Sequence, residues 1–187
     1  MQTLGRNQVL VIAISLTVFL LTVTVYSAGE NVLTVATISH SQLFNGPAAV
    51  TVRILTLKPG DSLPWHYHPG YAFNSIKSGN LTVEDGCGGV QTLTPGQGFE
   101  EAAGRVHRAR NLGTTDVVVY NTFITVAGKP TMVEVADNQS RCGPPSTVAD
   151  CKNDGWRKFT HPRVFANEEQ CATSLQSEAQ SPFYIQP

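Results

Sequence analysis

The chain has no Cys-x-x-Cys pair, no run of basic residues and no recognisable pairing of a nucleophile with a base. The first absence argues against a cysteine zinc site. The second removes electrostatic support for nucleic-acid binding. Charge is scarce altogether, at 14% of 187 residues with a formal net charge of −1. No stretch before residue 137 carries a helical apolar period, so a helical architecture is excluded for most of the length. No acidic residue occurs before Glu30.

That acid-free beginning has a layout of its own. Arg6 precedes an apolar run from Val9 to Val25, and small residues follow at Ser27-Ala28-Gly29. A positive start, an apolar middle and a small-residue end form the plan of a secretory signal. Cleavage after Ser27 places Val25 and Ser27 at −3 and −1, whereas cleavage after Ala28 puts the bulky Tyr26 at −3. An uncleaved anchor competes, because the run reaches the lower limit for spanning a bilayer. Residues 1–28 are thus read as a signal peptide or N-terminal anchor, with membrane contact only if uncleaved. The protein is expected to be secreted, periplasmic or held in the cell envelope.

Cysteine usage agrees with export. Cys87, Cys142, Cys151 and Cys171 all follow the N-terminal segment, and an even number in an exported chain suggests two disulfides. Three pairings exist. Cys87–Cys142 with Cys151–Cys171 is preferred, since Cys87 lies on a loop between strands, Cys142 follows the last strand, and the second bridge closes a small loop in the tail. Each would contribute about 2–4 kcal/mol.

Between Asn31 and about Glu134 the sequence reads as short strands divided by Gly, Pro, Asn and Asp. The expected strands are 31–38, 48–58, 63–68, 71–77, 80–84, 90–94, 97–101, 106–111, 115–127 and 131–136, with a turn at Gly79-Asn80. Such a succession implies an all-β sandwich or barrel. Domain limits follow: a barrel over 29–137, a linker over 138–150 by composition, and a small Cys-stapled module over 151–187. About 25 residues bury little core alone, so a staple is physically expected there. Two Asn-x-Thr/Ser sequons, at Asn80 and Asn138, matter only in a eukaryotic secretory pathway.

Three of the five histidines share a pattern. His66 and His68 lie two apart in an extended segment and so point the same way, with Trp65 and Tyr67 opposite. His107 begins a second alternating run in which Ala109 and Asn111 share its face. Three converging imidazoles suit a transition metal. His40 and His161 fit no such pattern.

The spacing resembles the cupin motif. Its first half reads Gly60, His66, His68, then Ala72 where the family has Glu, then Gly79; its second reads Gly96, Ala102 in place of Pro, Gly104, His107 and Asn111. Eight of ten marker positions agree over residues 48–136. Trp65 to Gly70, Ser78 to Val83, Cys87, Gly96 to Phe99 and His107 to Gly113 are similar to exported bacterial single-domain cupins, whose late cysteine supports the Cys87–Cys142 pairing. The tail from Cys151 to Cys171 resembles a short Cys-Lys-Asn-Gly-Gly-Trp…Gln-Cys module at the C-termini of exported bacterial proteins.

The resemblance implies a double-stranded β-helix, or jelly-roll barrel, holding a divalent metal on His66, His68 and His107; Mn, Fe, Zn, Ni and Cu all suit these ligands. The absent glutamate leaves two solutions, a genuine three-histidine centre or a carboxylate from elsewhere. Glu101 is the candidate substitute, because alternation places Gln97, Phe99 and Glu101 on one face and Glu100 on the other. Tyr71, Phe73 and Arg105 are weaker candidates for lining a substrate site, beside Trp65 and Asn74. Asn111 is expected to fix a loop. Open metal positions would permit oxygenation, isomerisation or hydrolysis of a small molecule. The other class is a non-catalytic binding or envelope-associated barrel with a vestigial site. A plant germin-like Mn oxidase fits less well, since that group keeps the glutamate. Cupins often pair through strand edges, so a homodimer is a further expectation.

Overall fold

The computed structural model describes residues 28–136, 139 and 141–179. The reading of residues 1–27 as a signal or anchor lies outside them, as do Asn138 and Ser140 of the second sequon. Among the described residues no helix is long and apolar enough to cross a membrane.

Ten strands form in the described part: β1 Gly29–Ser41, β2 Gly46–Leu57, β3 His66–Tyr67, β4 Tyr71–Ser78, β5 Leu81–Asp85, β6 Val90–Leu93, β7 Gly98–Glu101, β8 His107–Arg110, β9 Val117–Val126 and β10 Val133–Glu134. They make two five-stranded antiparallel sheets, ordered β1-β2-β9-β4-β7 and β10-β3-β8-β5-β6. This is the expected all-β jelly roll, with strand limits within a few residues of the sequence reading. Gly79 makes the β4–β5 turn with φ +72°. Gly70, just after His68, lets the chain pass β9 closely, where a Cβ would sit 2.1 Å from the Ile124 carbonyl.

Period-2 alternation decides what faces inward. In β9, Val117, Val119, Asn121, Phe123 and Thr125 are buried, and their neighbours are not. In β4 the inward set is Ala72, Asn74 and Ile76; in β2 it includes Arg53, Leu55 and Leu57. The register aligns these into layers across the sheet. Leu55, Val119 and Ile76 form one row; Arg53, Asn121, Asn74 and Phe99 form the next; Phe123, Ala72 and Glu101 follow. The apolar core, which includes Leu55, Leu57, Leu63, Ile76, Leu81, Leu93 and Val119, therefore fills one end of the barrel. The inner surface turns polar at the same level on several strands.

The C-terminal part is small and helical: α1 Val148–Cys151, a 3₁₀ turn at Gly155–Lys158, and α2 Glu168–Ala179. Cys151 is bonded to Cys171, and Cys87 to Cys142. Phe159 and Phe165 pack with Cys142, Cys151 and Cys171, flanked by Trp156 and Leu175. Composition suggests a free linker over 138–150, yet Cys142, Gly143, Pro144 and Pro145 are buried. Cys142 belongs at once to the tail cluster and, through Cys87, to the barrel. Its carbonyl accepts from the Thr160 and His161 amides, and the Gly143 carbonyl accepts from Val106.

Candidate metal centre

The polar layer holds the three motif histidines. His66 and His107 are register partners on β3 and β8, and His68 follows two residues on. All three are buried, with 2–5% exposure, and one ring nitrogen from each lies within 4.8 Å of the other two.

Backbone carbonyls orient each ring. Nδ1 of His66 meets the Pro64 carbonyl at 2.8 Å, that of His68 the Thr131 carbonyl at 2.6 Å, and that of His107 the Arg105 carbonyl at 2.9 Å. A carbonyl only accepts, so in the neutral ring the proton sits on Nδ1 and the lone pair on Nε2. Outer partners of this kind fix the tautomer of metal-binding histidines.

Glu101 joins the cluster from β7, with Phe99 packed against the core on the same face. Its Oε1 lies 2.9 Å from His107 Nε2 and its Oε2 lies 3.2 Å from His68 Nε2. The His107 contact is close but off the axis of a hydrogen bond, so that buried nitrogen has no hydrogen-bond partner. Imidazole nitrogens and carboxylate oxygens thus converge on one point, a donor set that suits a cation there. Ala72 is fully buried and is the register partner of Glu101. The strand directly beside β4 thus brings a carboxylate opposite the place where the motif has its glutamate.

Electrostatics of the metal-free cluster fit this geometry. Burial, with the neighbouring His107 and His68, pushes His66 down to about 3. Burial drives the Glu101 carboxyl up, but its close polar contacts with His107 and His68 outweigh it and hold the group well below the usual range. For His107 burial acts downward, and Glu101 prevails to raise it.

Among these side chains lies a cavity of about 20 Å³, lined in part by Arg53, His66, His68, Asn74 and Glu101. That is room for one water or ion. A separate apolar groove of about 380 Å³ is lined by Tyr67, Pro69, Ala103 and Val133 among others.

The weaker lining candidates fare differently. Tyr71 and Phe73 take the outward phase of β4, and Phe73 is 44% exposed. Alternation forbids them the interior once Ala72 and Asn74 face it. Arg105 gives its carbonyl to His107, but its guanidinium donates to the Ser146 hydroxyl in the tail. Trp65 lies outside, between the guanidiniums of Arg108 and Arg141. Asn111 donates to the Leu57 and Thr115 carbonyls and accepts from Gly113, closing its loop.

Asn74, a weaker candidate from the sequence, does reach the site, and sequence reasoning missed the two residues behind it, Asn121 and Arg53. Asn74 donates to Glu101 Oε2 at 3.0 Å, Asn121 to Asn74 Oδ1 at 2.6 Å, and Arg53 Nε to Asn121 Oδ1 at 3.1 Å. Their signal is phase: Arg53 alternates with Leu55 and Leu57, and Asn121 with Val119 and Phe123. A polar residue in the apolar phase of a strand marks a buried site.

Residues 53–131 match the family described as "Cupin domain". No curated protein matches the chain. Among solved structures, a cupin domain from Bordetella pertussis Tohama I is 22% identical, with 53% of this chain and 94% of that one aligned at a TM-score of 0.41. A conserved Klebsiella pneumoniae protein with a double-stranded β-helix domain is 19% identical over 58% and 85% of the two chains, TM-score 0.43. The DMSP lyase DddQ from Ruegeria pomeroyi DSS-3 is 15% identical over 58% and 51%, TM-score 0.45. With residues 53–131 matching the family model, and the motif histidines gathered within the jelly roll those residues help to build, this barrel is a cupin domain.

Proposed function

We propose that this cupin binds one divalent transition metal through Nε2 of His66, His68 and His107 and the carboxylate of Glu101. One observation carries the reading. Each Nδ1 is held by a backbone carbonyl, so three Nε2 lone pairs converge with the Glu101 carboxylate beside a small cavity that His66, His68 and Glu101 line. Burying such a set without a cation is costly. A mixed imidazole and carboxylate set suits Mn, Fe, Zn, Ni or Cu.

When bound, the metal would supply Lewis acidity or redox chemistry to a small molecule. The chain's own residues do the rest: the carbonyls of Pro64, Thr131 and Arg105 hold the rings, and Leu55, Leu63, Leu81 and Phe123 exclude water. The cavity admits little beyond the ion and a water. An organic ligand would therefore approach from outside it, where the groove beside Pro69 has the size for one. Oxygenase or isomerase chemistry fits that arrangement. The filled barrel favours a second reading, in which the metal is held without turnover and the protein serves as a ligand-binding or envelope-associated module.

All four cysteines are in disulfides, as befits an oxidising compartment. On that basis the mature chain is read as exported, with the tail a stapled cap on the barrel. The partner read for it is a second copy. Strand β1 is a long edge strand with almost every residue exposed, Val32, Leu33, Val35 and Ile38 included, and such edges call for cover.

The test is elemental analysis of the full chain, purified without chelators or a polyhistidine tag. Near-stoichiometric metal in the wild type, absent from His66→Ala/His68→Ala, is the expected result. A folded wild type that stays empty after incubation with Mn, Fe, Zn, Ni and Cu would sink the metal reading.

A further inference from the structure

The inner face of the larger sheet carries a hydrogen-bonded file that crosses all five of its strands. It starts at Glu30 on β1, continues through Arg53 on β2, Asn121 on β9 and Asn74 on β4, and ends at Glu101 on β7. Arg53, Asn121 and Asn74 are each only 5% exposed. Glu30 is 40% exposed by its side chain, so the file runs from solvent to the metal centre.

Its chemistry allows a single direction. A guanidinium has five donors and no acceptor. Arg53 Nε therefore obliges Asn121 to present its amide oxygen, which turns the Asn121 NH₂ toward Asn74. Asn74 must then receive with its own oxygen, and its NH₂ is left for Glu101 Oε2. Reversing either amide would set donor against donor or acceptor against acceptor in a buried place, where unmet groups are costly. The sense of the file is thus fixed at both ends, by Arg53, which only donates, and by the Glu101 carboxylate, which only accepts.

We propose that Arg53 is a positioning residue for the metal centre: acting through Asn121 and Asn74, it fixes Glu101 as a hydrogen-bond acceptor at Oε2 and leaves Oε1 as the ligand oxygen. This rests on the metal-binding reading above and extends it to a residue whose hydrogen-bonded path to Glu101 passes through two side chains. Glu30 balances the guanidinium charge at the outer end, 2.5 Å from Nη1.

Two substitutions separate direction from mere packing. Arg53→Lys keeps a group that only donates. Arg53→Gln keeps a polar group that reaches as far as Nε but offers an amide able to donate or accept, so the file loses its donor-only anchor and is held in sense by Glu101 alone. The readouts are the affinity for Mn(II) alone, followed by the signal of free Mn(II) in electron paramagnetic resonance, and the spectrum of the bound ion. Arg53→Lys should bind within about threefold of wild type with the same spectrum. Arg53→Gln should bind roughly 10–100-fold more weakly, the usual cost of losing an outer partner of a ligand, with a broadened or two-component spectrum. If Arg53→Gln fails to fold, Asn74→Ser breaks the same file one link from Glu101 and carries the same expectation.

A wild type that binds Mn(II), with Arg53→Gln and Asn74→Ser matching it in affinity and spectrum, overturns the positioning role and leaves the metal reading intact. Equal weakening by Lys and Gln also overturns it, since packing alone would then explain both. A folded wild type that takes up no Mn(II) defeats both readings.

Discussion

A carboxylate moved from position 101 to position 72 should restore metal binding to a chain that has lost it. Ala72 and Glu101 are direct register partners on β4 and β7 and face the same interior. Directly opposed residues in antiparallel strands carry Cβ atoms about 4.5–5.5 Å apart, a gap that a flexible glutamate side chain can bridge. Glu101→Ala alone should weaken binding by more than the roughly 10–100-fold typical of an outer partner. In wild type, metal at 100 times its dissociation constant stabilises the fold by about 2.7 kcal/mol, which is roughly 5–11 °C in melting temperature for a chain of this size. Glu101→Ala should lose most of that shift, and Ala72→Glu/Glu101→Ala should recover it with affinity within about tenfold of wild type. Ala72→Glu alone forces a second carboxylate into a cavity of about 20 Å³, so overpacking should cost about 1–3 kcal/mol. Calorimetric titration with Mn(II) and Zn(II), paired with thermal melts, reads all four proteins. A folded double variant that binds no better than Glu101→Ala would refute the idea that Glu101 stands in for the missing β4 ligand.

Metal affinity should fall as the solution is acidified, because the ligands bind without their protons. With His107 raised in the metal-free protein, uptake near neutral pH should release a proton, detected as a binding heat that changes with the buffer's ionisation enthalpy; no change would contradict the His107–Glu101 pairing. For metal-free stability the signs differ by residue. The Glu101 contribution, from a depressed group, is present above its ordinary 4.5 and lost as pH falls toward its folded value. The raised His107 stabilises below 6.5 and ceases to do so as pH climbs through its folded value. His66, pushed down to about 3, acts against the fold as pH drops from 6.5 to 3. Urea melts across pH 3–9 should therefore peak on the near-neutral side. Replacing Leu33 and Val35 by Lys should convert a dimer into a monomer by light scattering while shifting stability by no more than about 0.5 kcal/mol per site. A wild type that is monomeric at roughly 100 μM would remove the β1 edge as an interface.

Much of this centre is legible in the letters because the motif histidines report on local geometry. His66-Tyr-His68 in an extended segment fixes its own facing, and Gln97 to Glu101 does the same for the substitute carboxylate. Facing does not by itself give register. That Ala72 lies opposite Glu101, rather than two residues off, depends on how β4 and β7 align in space. The turn at Pro69-Gly70 hides the phase of β4, so the sequence alone does not separate inward Asn74 from outward Tyr71 and Phe73. The file from Arg53 to Asn74 was harder still, since it depends on three strands distant in sequence meeting in one row. The buried Cys142–Pro145 segment follows the same rule: its composition is that of a linker, but a disulfide to Cys87 and the carbonyl of Gly143 tie it to the barrel.

Loss of the β4 glutamate need not mean loss of the centre. In a barrel whose inner face is built from aligned rows, neighbouring strands present side chains to nearly the same point, so a ligand can cross from one to the other while the backbone stays put. The move changes the surroundings of the carboxylate. On β7 Glu101 lies against Asn74, which takes one of its oxygens, and Asn74 is held in turn by Asn121 and Arg53. A glutamate at position 72 would leave that contact and crowd the row that Phe123 occupies. Restored binding in the exchanged variant should therefore come with a changed Mn(II) spectrum, since the ion would have its carboxylate back without the file that orients it.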